Sequence, residues 1–210
     1  MKSFLKTKDF SISGEEFELM LDTELNMLRT YPEPENLAAY YDSEAYISHS
    51  DSADNLVDKL YQYIKKYNLK RKVSLINNYT NTDKTLLDIG AGTGSFLETA
   101  KRDGWKVYGI EPGKKARDLA ANKGLELLEN LDLLEKRTFQ VITLWHVLEH
   151  LPDLDSQINK ITSLLDEDGT LIVAVPNFQS YDARYYKEYW AAYDLPIHLY
   201  HFRPQNIKDL

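Results

Sequence analysis

Leu86-Leu87-Asp88-Ile89-Gly90-Ala91-Gly92-Thr93-Gly94-Ser95-Phe96 is the stretch that decides how this chain folds. A short apolar run, suited to a buried strand, passes straight into three glycines at alternate positions and then into a segment with helical spacing. Glycine adopts the backbone angles of a tight turn and lets a ligand approach the main chain. The helix that follows offers unpaired N–H groups and the positive end of its dipole to whatever rests on the turn. A strand, glycine turn and helix in this order hold a nucleotide-like ligand at the carboxyl end of a parallel sheet.

The spacing narrows the ligand. A pyrophosphate-binding turn reads G-x-G-x-x-G. Here the pattern is G-x-G-x-G, and Phe96 occupies the second position after the last glycine. Downstream, Val107-Tyr108-Gly109-Ile110-Glu111-Pro112 is a second strand ending in a carboxylate, whose two oxygens suit a pair of ribose hydroxyls.

Working outward, Thr85–Ile89, Lys106–Ile110, Leu125–Leu128, Phe139–Leu144 and Thr170–Val175 read as buried strands. Ser95–Arg102, Lys114–Asn122 and Leu154–Leu165 read as the helices between them, with Gly104, Gly124 and Gly169 placed as left-handed residues just past their ends. This alternation implies an α/β fold: a Rossmann-like, doubly wound, mainly parallel sheet with helices on both faces. Upstream, residues 52–68 read as an amphipathic helix with Leu56, Leu60, Tyr63, Ile64 and Tyr67 on one face. The cations Lys65, Lys66, Lys70, Arg71 and Lys72 read as a solvated helix surface. Before about residue 50 the chain mixes acidic, aromatic and turn residues, and Pro32 and Pro34 interrupt any helix. Pro204 opens a last short helix.

Composition excludes several classes. No cysteine is present, so disulfides and thiolate metal sites are ruled out. No apolar run approaches the roughly 18 residues of a membrane span. The first residues lack a secretory signal, and the expectation is a cytoplasmic protein without a membrane partner. The net charge of −8 argues against a nucleic-acid partner.

The D-x-G-x-G-x-G pattern from Asp88 to Gly94 resembles the first motif of class I S-adenosylmethionine-dependent methyltransferases. Trp145-His146-Val147-Leu148-Glu149-His150-Leu151-Pro152-Asp153 resembles a segment of the branch that includes ubiquinone-biosynthesis O-methyltransferases. Pro176-Asn177, Trp190 and Asp194-Leu195-Pro196-Ile197-His198-Leu199-Tyr200-His201-Phe202 resemble the same branch. The likeness is specific over about residues 84–203 and looser before them.

The resemblance implies S-adenosylmethionine as cofactor. Gly90, Ala91, Gly92 and Gly94 would wrap its methionine part, and Asp88 would orient its ammonium group. Glu111, followed by Pro112, would bind the ribose, Asn130 and Leu131 the adenine region, and Trp145 and His146 would line the cofactor. His146, His150, His198 and His201 are the catalytic candidates; one of them would take a proton from a small-molecule oxygen, nitrogen or carbon acceptor. A protein or RNA acceptor, or a cofactor-binding protein without catalysis, is the alternative. His198 and His201 are spaced for metal ligation on a turn, yet without cysteines or a partnered carboxylate pattern no metal is expected.

Residues 1–51 are similar to an extension that carries a zinc-ribbon turn in some members. Its cysteine positions fall here on Asp22 and Leu25, so the zinc ligands are lacking. The tyrosines from Tyr40 to Tyr46 would close over the cofactor or pack against the sheet. Residues 52–210 form the expected methyltransferase domain. The family sheet has seven strands, and the last two are expected to be missing, so the domain is expected to be truncated at its C-terminus.

Overall fold

The computed structural model describes residues 1–34, 40, 56–79, 84–134 and 137–210. The tyrosines expected near the cofactor, Tyr41 and Tyr46, and the first residues of the helix expected from 52 lie outside these. In chain order the strands are β1 (Lys2–Lys8), β2 (Glu16–Asp22), β3 (Met27–Tyr31), β4 (Thr85–Ile89), β5 (Lys106–Ile110), β6 (Phe139–Trp145), β7 (Leu165–Ala174) and β8 (Tyr200–His201). The α-helices are α1 (Leu56–Ile76), α2 (Ser95–Arg102), α3 (Lys114–Ala121), α4 (Leu154–Thr162), α5 (Tyr181–Tyr186) and α6 (Pro204–Asp209).

The chain divides into two compact units. The first comprises Met1–Ser50, His146–Leu154 and Ala174–Leu210; the second comprises Asp51–Trp145 and Asp155–Val173.

The second unit carries a sheet in the order β5-β4-β6-β7, with β4 parallel to both β5 and β6. Successive strands run outward from β4 on opposite sides, so the loops after β4 and β6 diverge there. In sheets of this kind, ligands bind outside the carboxyl ends of the strands at such a divergence. Leu86, Leu87, Val141, Ile142 and Leu144 are fully buried, as strands covered on both faces require. Phe96, Leu97 and Ala100 of α2, with Trp105, Ala120 and Leu125, belong to the same core cluster as Val73 and Ile76 of α1.

Four readings of the sequence are corrected in this unit. Leu125–Leu128 is not a strand; one parallel bridge, Ile110 to Leu128, is all that forms. Gly169 does not cap a helix but lies inside β7, where a Cβ would fall 2.9 Å from both Asp166 N and Phe139 O. Gly104 and Gly124 do adopt positive φ past α2 and α3. The face of α1 expected inside is solvent-exposed at Leu60, Tyr63, Ile64 and Tyr67, and the helix buries Val73 and Ile76 instead. Lys72 is not part of a solvated surface: it is half-buried, with Nζ 4.3 Å from the Trp145 ring centroid.

The first unit is built on an antiparallel sheet in the order β1-β2-β3-β8. Phe17 and Leu19 of β2 point inward at the two-residue period of a half-covered strand. They pack with Leu28, Phe178, Tyr193 and Leu195. Where cysteines would stand in the resembling turn, the Asp22 carboxylate accepts from the N–H groups of Glu24 and Leu25, at 3.0 and 3.1 Å, and closes the β2–β3 hairpin. Among the described residues, no helix is long and apolar enough to cross a membrane.

Candidate functional site

In the second unit the glycine turn is clamped to the end of the neighbouring strand. Gly90 N–H and Ala91 N–H both donate to the Ile110 carbonyl, at 2.8 and 2.9 Å. Gly92 N–H donates to Glu111 Oε2 at 2.8 Å, and Gly113 N–H donates to Glu111 Oε1 at 2.8 Å. One carboxylate thus ties the turn after β4 to the turn after β5. Each oxygen retains acceptor capacity, because a carboxylate offers about four lone-pair directions. Lys123 holds the far side, donating to Thr93 O at 2.8 Å and Ser95 Oγ at 3.0 Å.

The glycines divide their roles. Gly90, Gly92 and Gly94 have φ of 72, 54 and 73°. A Cβ on Gly94 would meet Leu125 Cδ1 at 2.6 Å, so this glycine serves the packing of α2. Among the described residues, a Cβ on Gly92 would meet nothing within 4 Å.

Asp88 is 2% exposed and accepts a hydrogen bond from Thr143 Oγ1 at 2.6 Å, across the Asp88–Thr143 register of β4 and β6. Burial pushes its pKa up to about 7, against the Thr143 hydrogen bond and the Lys72 ammonium, which both lower it. The Trp145 ring packs edge-on against Phe96, with centroids 5.7 Å apart. Asn130 is exposed and uses Oδ1 to accept from Asp132 N–H at 3.0 Å, capping the turn that contains Leu131. Pro112 is exposed beside Glu111, and its carbonyl accepts from Arg117 at 2.6 Å.

The four histidine candidates all lie in the first unit, in unlike surroundings. His146 is 64% exposed, with φ of 59°, a left-handed conformation that few non-glycine residues adopt. Its Nδ1 lies 3.5 Å from Glu149 Oε1. His150 donates from Nδ1 to the Ile197 carbonyl at 3.2 Å, and burial lowers its pKa. His198 donates from Nδ1 to the Ala192 carbonyl at 3.0 Å and stacks edge-on with His150, with centroids 4.6 Å apart. Burial first, then its neighbours His150 and His201, bring the His198 pKa down to about 2. His201 Nε2 meets Thr30 Oγ1 at 3.1 Å while that hydroxyl donates to the His198 carbonyl at 2.5 Å. Burial brings the His201 pKa down to about 3.

Trp190, Tyr193 and His201 continue this aromatic chain, with centroids 5.0 and 5.4 Å apart, and Tyr200 is buried under Arg29. Sequence reasoning missed Thr143, Lys72, Lys123 and Glu149. The first three act through contacts of long sequence separation. Glu149 stands inside the quoted motif and is 1% exposed, yet nothing in the sequence marks it as buried.

Residues 61–210 match a family described as a methyltransferase domain. The ubiquinone biosynthesis O-methyltransferases of Yersinia enterocolitica and Actinobacillus pleuropneumoniae are 30% and 34% identical to this chain where they align. Those alignments cover 45% of this chain and 43% and 46% of the relatives, so the match spans less than half of their length. Magnesium protoporphyrin IX methyltransferase from Synechocystis, crystallised with bound S-adenosylhomocysteine, superposes with a TM-score of 0.61 at 19% identity, covering 81% of this chain and 84% of its own. A methyltransferase from Archaeoglobus fulgidus gives 0.54 at 19% identity over 71% of both chains. At these identities the structural likeness establishes the shared α/β fold.

Proposed function

Because this chain belongs to the class I methyltransferase family, whose cofactor is S-adenosylmethionine, we propose that it moves a methyl group from that cofactor to an oxygen, nitrogen or carbon of a small molecule. One observation carries the reading: the Glu111 carboxylate latched to Gly92 N–H at 2.8 Å, at the carboxyl end of β4.

The residues present fit the cofactor. The turn has no phosphate-binding spacing, a Cβ on Gly92 would meet none of the described residues within 4 Å, and Glu111 has acceptor capacity left for two ribose hydroxyls. Ala91, Gly92 and Gly94 would lie along the methionine part, with Gly90 closing the turn onto β5. Asp88 acts from beneath the turn: its carboxylate faces Thr143, so its influence on the cofactor's cationic end is electrostatic rather than a direct contact. Trp145 supplies an aromatic face, which attracts cations. Asn130 and Leu131 follow the bridge at Leu128 and are assigned to the adenine.

When bound, the cofactor supplies a methyl group already activated by a sulfonium, so the protein's task is alignment and exclusion of water. An acceptor that must lose a proton needs a base. Of the four histidines, His146 is the one we assign: its imidazole is solvent-facing and a buried carboxylate stands behind Nδ1. His150, His198 and His201 are tied to backbone carbonyls or to Thr30. The O-methyltransferase names of the sequence relatives favour an oxygen acceptor.

Calorimetric titration with S-adenosylhomocysteine and with NAD tests the cofactor. Binding of the first in the micromolar range, about −8 kcal/mol, is expected; binding of NAD alone would overturn the reading. Incubation with radiolabelled cofactor and separated cell fractions tests the acceptor. Label entering the low-molecular-weight fraction is expected, and label confined to protein or RNA would refute a small-molecule acceptor.

A further inference from the structure

Lys123 stands just past the end of α3, where the chain is fixed by its own backbone. Lys123 N–H and Leu125 N–H both donate to Ala120 O, at 2.9 and 3.2 Å, and Gly124 N–H donates to Ala121 O at 2.9 Å. Gly124, with φ of 70°, then turns the chain away from the helix. The packing beside this end is close: Ala120 is fully buried, and a Cβ on Gly94 would fall 3.2 Å from the Ala120 Cβ. The Lys123 side chain therefore leaves from a rigid base next to the glycine turn.

Its ammonium reaches back 30 residues in sequence. Nζ donates to Thr93 O at 2.8 Å, to Thr93 Oγ1 at 3.2 Å and to Ser95 Oγ at 3.0 Å. An ammonium has three donors and no acceptor, and three oxygens match that capacity. The need for such a brace follows from the sequence. Thr93 lies between Gly92 and Gly94, and glycines leave the backbone on either side of it free to take many conformations. Ile110 O and the Glu111 carboxylate hold Gly90, Ala91 and Gly92, and Lys123 holds the other half of the turn.

On the reading of this turn as the S-adenosylmethionine site, we infer that Lys123 is a positioning residue for the amino-acid part of the cofactor, acting through Thr93 and Ser95. The Glu111 latch serves the ribose side of the turn, and Lys123 serves the side that leads into α2. A turn held at both halves need not be ordered when the ligand binds, and the ordering cost avoided appears as affinity. Lys123 acts through the turn, so its effect is confined to ligands that lie along it.

Two ligands separate this role from general stability. S-adenosylhomocysteine carries the amino-acid part; 5′-methylthioadenosine has the same adenosine and thioether and lacks it. In calorimetry on the full chain, Lys123→Met should bind S-adenosylhomocysteine about tenfold more weakly and 5′-methylthioadenosine as tightly as the parent. Lys123→Arg, whose guanidinium also only donates, should recover most of the loss. Lys101→Met removes the same charge and the nearby hydrogen bond from Lys101 to Gly124 O, 2.9 Å long, without touching Thr93, and should leave both affinities unchanged. Without ligand, the Gly92 and Gly94 amides should exchange hydrogen faster in Lys123→Met than in the parent. Unchanged S-adenosylhomocysteine affinity in Lys123→Met, an equal loss for both ligands, an equal loss in Lys101→Met, or unchanged amide exchange would each overturn the role of Lys123. If the parent itself binds neither ligand, the cofactor reading fails; faster exchange would still support the brace, and unchanged exchange would still overturn it.

Discussion

The two units solve opposite problems with their polar groups. In the parallel-sheet unit, the glycine turn spends its N–H groups on the neighbouring strand end: Gly90 and Ala91 on Ile110, and Gly92 on Glu111. Its geometry is set before any ligand arrives. In the antiparallel unit, Glu149, His198 and His201 are each less than a tenth exposed, and among the described residues the Glu149 carboxylate accepts no hydrogen bond. The turn after β4 finds its partners at the end of the next strand, in one backbone carbonyl and one carboxylate. A cluster assembled from residues about 50 apart leaves side chains to be satisfied by one another or by a ligand.

The largest effect expected from breaking this contrast is on turnover. His146→Ala should lower turnover by about 10²–10⁴-fold while S-adenosylhomocysteine affinity stays intact. His201→Ala should instead lower the melting temperature, because a buried ring and its hydrogen bond to Thr30 are lost and a cavity is left. Parallel kinetics, calorimetry and melting on the two variants check this. Equal turnover in His146→Ala and the parent would remove the base assignment.

Next comes the latch of the other unit. Glu111→Ala should weaken S-adenosylhomocysteine binding by about 2–4 kcal/mol, since hydrogen bonds to a charged acceptor contribute about 1.5–3 kcal/mol each. Wild-type affinity in that variant would disprove ribose binding by Glu111.

Within the glycine turn, two alanines sharpen the comparison. Gly94→Ala drives a Cβ to 2.6 Å from Leu125 Cδ1 at φ 73° and should destabilise the fold by about 1–3 kcal/mol beyond the conformational strain. Gly92→Ala carries strain alone, about 1–2 kcal/mol, and places its methyl on the side assigned to the cofactor. Its affinity loss should therefore exceed its stability loss relative to Gly94→Ala, as melting and titration would reveal.

The last comparison is pH dependence, with opposite signs in the two units. His198 and His201, at about 2 and 3 in the folded state, take up protons only on unfolding. Their contribution is complete above the unfolded value of about 6.5 and is lost on acidification below it, at about 1.4 kcal/mol per pH unit for each group. Asp88, at about 7 when folded, contributes fully below its unfolded value, and that contribution is lost as pH rises from about 4 to 7, at about the same rate. Denaturant melts from pH 4.5 to 6.5 should show a net stability increase with pH. Asp88→Asn should steepen it, and a flat profile in that variant would contradict the sign.

Much of the second unit was legible because its signals are local. Ser95–Arg102 is the helix expected, and β4 and β5 have the expected ends. A glycine turn, its helix and the carboxylate of the next strand lie within about 25 residues, so spacing alone carries their chemistry. The antiparallel sheet of the first unit was not legible. Its strands are short, and β8 contributes two residues from the other end of the chain.

What the sequence alone determined is the parallel α/β core, the glycine turn after β4 and the family. Tertiary structure decided the rest. It reduced Leu125–Leu128 to one bridge and turned the apolar face of α1 outward, while Lys72 went over Trp145. It also told four similar histidines apart, exposing His146, tying His201 to Thr30 and setting His150 and His198 beside a buried carboxylate. The physical reason is that hydrophobic periodicity reports how a segment is patterned, not which face finds a neighbour. Desolvation, which sets the charge state of a histidine or a glutamate, depends on residues brought close only by folding.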